Sequence, residues 1–273
     1  MVVDLRGILP VLPTPFLADG GIDEAGMKRL VVFALDKGVD GIVFPGFASE
    51  VETLSAAERA TLLKIVVDAA AGRVPVVAGA SAADWRDVVE HGRAASALGI
   101  HHLMVQPPKS VGTDVPALTE FLGRVVEALP EVEIILQNAP APRGSDLSPQ
   151  AIVEIVRALP KVTYVKEETL PAGPAISHII AQAPATLKGV IGGGGARYIL
   201  DEYARGATAA MPALEIAEQH VAIDRALVAG RREEARKIYV RTLPLLVLQA
   251  VYRMRLTKYV LARRGVIEGV SVR

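Results

Sequence analysis

The sequence contains no cysteine among its 273 residues. Disulfides, thiolate nucleophiles and cysteine-ligated metals are therefore excluded. Net charge is also missing, because 30 Lys and Arg balance 30 Asp and Glu. With no basic or acidic excess, nothing points to nucleic acid or an anionic membrane as a partner. Charged residues, glycines or prolines break each apolar run before the roughly 18 residues that a membrane span needs. The opening Met-Val-Val-Asp-Leu-Arg-Gly has neither the basic start nor the apolar stretch of a secretory signal. A soluble, cytoplasmic protein is the resulting expectation. No histidine has a metal-ligand spacing to another histidine or acid, so neither a metal nor another cofactor is expected.

What is present is a large apolar fraction, 51% of residues, cut into short pieces. Runs rich in Val, Ile and Leu at 8–12, 41–45, 75–79, 102–106, 133–137, 162–166, 187–192 and 207–211 predict eight buried strands. Amphipathic segments at 23–37, 55–71, 84–98, 114–129, 148–159, 172–182 and 197–205 predict helices between them. Start and stop signals support these boundaries. Ser55-Ala56-Ala57-Glu58 reads as a capping box, and Pro149 after Ser148 suits a first helical position. Strictly alternating strands and helices predict a parallel sheet. Eight such units in about 210 residues predict a TIM (β/α)8 barrel rather than an open sheet. Residues 1–212 form the expected barrel. Residues 213–273 form an expected C-terminal helical extension packed on it, with helices at 214–229, 231–241 and 243–264.

One of the nine lysines stands apart. Lys166 ends the run Val162-Thr163-Tyr164-Val165-Lys166. Strand parity puts Val162, Tyr164, Lys166 and Glu168 on one face, and Thr163 and Val165 on the other, toward the helices. Lys166 then points into the barrel near its carboxyl-terminal mouth, where such folds place their chemistry. Apolar neighbours there would favour a neutral amine, able to attack a carbonyl and form an imine. A rim lysine merely paired with Glu167 or Glu168 fits position alone equally well. Most of the other lysines fall in helices or loops and read as solvated charges.

Five segments decide between these readings by resemblance. They are Leu12-Pro13-Thr14-Pro15-Phe16, Gly46-Phe47-Ala48-Ser49-Glu50, Gln137-Asn138-Ala139-Pro140, Val165-Lys166-Glu167 and Gly206-Ala207-Thr208-Ala209. In order and spacing they resemble the Thr-Pro-Phe, Gly-Thr-Thr-Gly-Glu, Tyr-Asn-Val-Pro, Lys-Glu and Gly-Ala-x-Gly segments of the dihydrodipicolinate synthase and N-acetylneuraminate lyase family. The resemblance implies a Schiff-base lyase with Lys166 as the imine lysine, pyruvate or another 2-oxo acid as substrate, and a homotetramer or dimer.

The departures carry information too. Phe47 and Ala48 stand where the family has hydroxyl-bearing threonines. Gln137 stands where it has a relay tyrosine, and glutamine is neither acid nor base. Lys109 falls where a second tyrosine is common, and Arg143 sits near the family's carboxylate-binding arginine. The Phe47-Ala48-Ser49-Glu50 loop, the Gln137-Asn138-Ala139-Pro140 strand end and a glutamate two residues after the lysine resemble one branch, the L-2-keto-3-deoxyarabonate dehydratase-like proteins. Lys166 and Glu168 are thus the candidate catalytic residues, with Glu168 taking and returning a proton. Ala48, Ser49, Lys109, Gln137, Asn138, Arg143, Gly192 and Gly193 are the candidate substrate-binding positions. For Glu168 an orienting ion pair, and for Ser49 a turn cap, stay open. Gly192 to Gly195 lack the lysine of a nucleotide loop and read as a roomy wall beside the substrate. The expected outcomes are aldol cleavage or condensation, or dehydration of a 2-keto-3-deoxy sugar acid. A catalytically impaired barrel that binds or senses a 2-oxo acid is the alternative.

Overall fold

The computed structural model describes residues 3–273; residues 1 and 2, included in the expected barrel segment, lie outside the described residues. In chain order the elements are β1 (Gly7–Ile8), α1 (Glu24–Asp36), β2 (Ile42–Val43), α2 (Ala56–Ala70), β3 (Val76–Gly79), α3 (Trp85–Ala97), β4 (His102–Val105) and α4 (Val115–Ala128). They continue as β5 (Glu133–Asn138), α5 (Pro149–Ala158), β6 (Val162–Glu167), α6 (Ala172–Gln182), β7 (Gly189–Gly192), α7 (Ile199–Ala204), β8 (Ala209–Ala210), α8 (Ala217–Val228) and α9 (Arg232–Arg263). The strand order is β1-β8-β7-β6-β5-β4-β3-β2, and a parallel bridge from Val11 to Val43 returns β2 to β1. This is the expected TIM (β/α)8 topology with additional C-terminal helices.

The chain divides into two compact units, and the division falls inside β3 and β8. The first holds 3–5, Val77–Gly193 and Asp201–Ala209. Its strands pair in parallel, with Gln137 beside Lys166, Asn138 beside Glu167, Lys166 beside Ile191 and Glu167 beside Gly192. All six residues of β6 are buried. Tyr164 fills the interior on the Lys166 face, and its hydroxyl accepts from the Leu5 N–H at 2.9 Å. Helix α5 starts as expected: Ser148 Oγ accepts from Ala151 N at 3.2 Å and Pro149 opens the first turn.

The second unit holds Arg6–Val76, Gly194–Leu200 and Ala210–Arg273. Here β1 and β2 are two residues each, shorter than the predicted 8–12 and 41–45. Pro10, Pro13 and Pro45 have no N–H to donate, so the ladder is intermittent. It nevertheless continues past β1, with Leu9 N donating to Ala210 O at 2.9 Å and Val11 N to Pro212 O at 2.8 Å. The capping box at Ser55 and Glu58 forms in both directions. One prediction is corrected. Two helical segments are present in α9, as expected, but the break between them does not fall at 242: the helix runs through Pro244 and is interrupted at Arg253. Proline removes one helical N–H, and here the helix absorbs that loss. The chain instead bends at Arg253, where φ is +47°, and its guanidinium lies 5.5 Å from the Phe47 ring.

Two histidines illustrate the cost of these interiors. Burial pushes His102 and His220 down to about 4, and neither ring nitrogen of His220 has a hydrogen-bond partner among the described residues. The unfolded chain binds these protons near the ordinary value of 6.5, before the folded chain does. Folding stability is therefore expected to fall as pH drops from 6.5 toward 4. Urea denaturation across that window checks it, and His220→Leu should make the slope shallower.

Candidate active site

The chemistry of the first unit gathers where β5, β6 and β7 end. Lys166 is 4% exposed, and its Nζ lies 3.0 Å from Glu168 Oε1. Two further groups converge on the same carboxylate. Arg143 Nη2 donates to Glu168 Oε2 at 2.9 Å and Gln137 Nε2 donates to it at 3.1 Å. Gln106 Nε2 in turn donates to the Arg143 carbonyl at 2.9 Å and holds that loop. Burial pushes the Glu168 carboxyl up, but the charges of Lys166 and Arg143, helped by hydrogen bonds, outweigh it and hold it down at about 2. Glu168 is an anion at every ordinary pH.

This corrects the expected surroundings of Lys166. The amine is buried, but its neighbours are ionic rather than apolar. The sheet explains why. Glu168 follows β6 by one residue, its N–H donates to Asn138 O at 2.9 Å, and parity keeps its side chain on the Lys166 face. Glu167 takes the opposite face. Its Oε2 accepts from Asn138 Nδ2 at 3.0 Å, and its Oε1 accepts from Thr169 Oγ1 at 2.5 Å and Thr169 N at 2.7 Å. Burial raises its affinity for a proton against these bonds.

The other candidates divide. Gln137 and Arg143 join Glu168, as described. Asn138 does not face a substrate: its amide donates to Leu147 O at 3.0 Å as well as to Glu167, and its Oδ1 accepts from Leu147 N at 2.9 Å. Those bonds fasten the chain after β5, so the expected binding role gives way to a scaffold role. Lys109 lies exposed in a short 3-10 turn, Lys109–Val111. Gly192 and Gly193 lie beside the cluster but line no roomy wall. A methyl on Gly193 would meet Glu168 Cγ at 2.3 Å, and one on Gly192 would meet Glu202 Oε2 at 2.1 Å. The space their missing side chains leave is filled by carboxyl groups.

Ser49 and Ala48 belong to the second unit. Ser49 is fully buried; its Oγ donates to Leu12 O at 2.5 Å and accepts from Gly46 N at 2.9 Å. Its only hydroxyl proton is spent on the backbone, so it locks its loop, and the substrate-binding expectation is corrected. Ala48 is half-buried and offers no polar group. Next to them, Glu50 adopts a left-handed backbone, with φ at +58°, and pairs with Lys258. The Lys258 amine also donates to Ser271 O at 2.7 Å and lies 4.2 Å from the Phe16 ring centre. Lys258 is completely buried, not a solvated helix charge as predicted. Burial lowers its proton affinity, against the pull of Glu50. No signal in the sequence separates it from the exposed lysines. Glu202, the carboxyl behind Gly192, was equally hidden within the polar run Asp201-Glu202. Among the described residues, no three His, Asp or Glu side chains stand close enough together to hold a metal ion.

The profile of the dihydrodipicolinate synthetase family matches residues 4–273. The chain belongs to that family. It is 32% identical over 263 residues, 95% of this chain and 84% of the relative, to an L-2-keto-3-deoxyarabonate dehydratase of Azospirillum brasilense. It is 33% identical over 183 residues, 67% of this chain, to a 4-hydroxy-tetrahydrodipicolinate synthase of Stenotrophomonas maltophilia, and that match spans 61% of the relative's length. Among solved structures, the dihydrodipicolinate synthase of Rhodopseudomonas palustris superposes with a TM-score of 0.91 at 26% identity, covering 98% of this chain and 91% of that one.

Two substitutions test these local arrangements. In Gly193→Ala the new methyl is expected to evict Glu168 from Lys166, Arg143 and Gln137; a crystal structure with all three contacts intact would contradict this. Lys258→Met leaves Glu50 without its cation in a buried place. It is expected to cost on the order of 3–5 kcal/mol in a urea denaturation series, and Glu50→Gln in the same chain should recover part of it.

Proposed function

We propose that this protein is a Schiff-base lyase of the dihydrodipicolinate synthetase family that dehydrates a 2-keto-3-deoxy sugar acid. The observation that carries the reading is the buried Lys166–Glu168 pair at 3.0 Å, beside a Lys166-Glu167 strand end that resembles the family's Lys-Glu segment. The 95% coverage by a dehydratase relative supports it.

In this mechanism Lys166, once it has given up a proton, attacks the 2-oxo carbon. Loss of water from the resulting carbinolamine leaves an iminium. Glu168 then takes a proton from the adjacent carbon, and the electron pair of that C–H bond moves to the nitrogen to form an enamine. The enamine expels the hydroxyl of the next carbon, and Glu168 returns its proton to that leaving group as water departs. A second water hydrolyses the imine and restores Lys166. A carboxyl held at about 2 is a weak base in the resting enzyme. Its basicity rises during the step itself, because nitrogen loses its positive charge as the enamine forms. Arg143 and Gln137 hold Glu168 in place, and Arg143 is exposed enough on its outer side to meet a substrate carboxylate.

The same intermediate serves carbon–carbon cleavage or condensation. Gln137 in place of a relay tyrosine favours dehydration, since it can pass no proton to an aldehyde oxygen. A 2-oxo acid binder or sensor without turnover is the competing reading. The reading includes residues 1–212 as the catalytic barrel and 213–273 as its extension. It also includes a cytoplasmic homotetramer or dimer, supported by the exposed Val247, Val251, Tyr252 and Tyr259 of α9. No helix among the described residues is long and apolar enough to cross a membrane.

Borohydride reduction in the presence of pyruvate is expected to fix one adduct on the peptide containing Lys166. An adduct on another lysine, or on none with any 2-oxo acid, would defeat the mechanism. Against a panel of 2-keto-3-deoxy sugar acids, Glu168→Gln should lose on the order of a hundredfold or more in turnover, as expected for a general acid–base group. Unchanged turnover would remove Glu168 from the chemistry. Tight binding without turnover in the wild type would favour the sensor.

A further inference from the structure

Glu202 plays no part in the mechanism above, yet it sits directly behind it. It is 1% exposed, and its Oε2 has no hydrogen-bond partner among the described residues. The Gly193 backbone N–H hydrogen-bonds the same carboxyl. Gly192 ends β7 and Gly193 follows it directly, and a different carboxyl group packs against each. Glu168 occupies the Gly193 side, with Lys166. Glu202 occupies the Gly192 side, and Gly192 is paired with Glu167. The turn is therefore a partition with one carboxyl group packed against each of its two glycines.

The two carboxyls have opposite surroundings. Glu168 has a lysine and an arginine. Among the described residues Glu202 is in no ion pair, and Arg205, three residues on in the chain, is bound to Asp201 at 2.9 Å. Burial, then the charge of Glu168, push the Glu202 carboxyl up to about 8, and Asp201 and Glu167 add to this against the Gly193 hydrogen bond. These surroundings favour the protonated acid at neutral pH.

We propose that Glu202 is a positioning residue for Glu168: packed against Gly192 and hydrogen-bonded by Gly193, it braces the turn against which the Glu168 side chain rests. The proposal rests on the Lys166–Glu168 reading for its activity measurement alone. When Glu202 ionises, its proton goes to solvent and two carboxylates face each other across the partition. Their repulsion disturbs the surface on which Glu168 rests and raises its demand for a proton.

Two measurements on the full chain test this. The first needs no substrate: a carboxyl carbon NMR titration of glutamate-labelled protein. A resonance lost in E202Q should titrate near pH 8 in the wild type, and the Glu168 resonance, assigned with E168Q, should show a step at the same pH that E202Q abolishes. A Glu168 resonance with no such step, or with the same step in E202Q, overturns the proposal. The second is exchange of pyruvate methyl protons for deuterium, which reports imine and enamine formation. Its rate should fall about tenfold per pH unit above the Glu202 midpoint in the wild type. In E202Q that limb should move to higher pH, whereas E202L, which offers Gly193 no acceptor, should be slow at every pH. An identical alkaline limb in wild type and E202Q also overturns it. If the wild type shows neither exchange nor a borohydride adduct, the Schiff-base reading fails on its own, and the NMR titration still decides whether Glu202 governs Glu168.

Discussion

Glu168 is a carboxylate taken out of water that stays ionised because three donors meet it: Lys166, Arg143 and Gln137. An isolated buried carboxylate would take up a proton or unfold its surroundings. The neighbouring structure can be understood as what this one anion requires. The β5–β6 register puts Gln137 beside Lys166. Gln106 holds the Arg143 backbone so that the guanidinium reaches in. Gly193 leaves the room for the Glu168 side chain. Remove any of these and a charge is left without compensation, which is more costly than never having buried the pair.

Three carboxyls near the ends of β6 and β7, two following along β6 and one from α7, meet three different fates. Glu168, among cations, is held at about 2. Glu167, one residue earlier and on the other face, is neutralised toward the proton by burial but hydrogen-bonded by Asn138 and Thr169. Glu202, with only other acids for company, is pushed up to about 8. Environments that drive like groups apart in proton affinity are how one fold assigns acid and base roles at a single pH. The second unit solves the same problem differently. There Glu50 and Lys258 compensate each other inside a loop that Ser49 locks, and the pair serves shape rather than chemistry.

Periodicity alone carried most of the architecture. Eight Val, Ile and Leu runs with helices between them leave little choice but a parallel closed sheet, and parity along 162–168 put Lys166 and Glu168 on one face. Alternation is a property of the strand itself, so it needs no knowledge of distant residues. Where prolines interrupt strands, in β1 and β2, local pattern overstated their length, because pairing depends on which N–H groups can donate. At Pro244 local pattern predicted a break that the helix does not make.

Partners were the part hidden from the sequence. A lysine reads the same whether it is solvated, like Lys109, or sealed against an aromatic ring and a glutamate, like Lys258. Gly192 and Gly193 look like open space until the side chains that fill that space are known. Ser49 and Asn138 read as ligands for a substrate until their hydrogen bonds are counted. The chain order of residues determined the strands, their faces and the place of Lys166 beside Glu168. Only the tertiary structure decided which charge each buried group meets, because charge compensation is set by distances between residues far apart in the chain, and no local pattern encodes those distances.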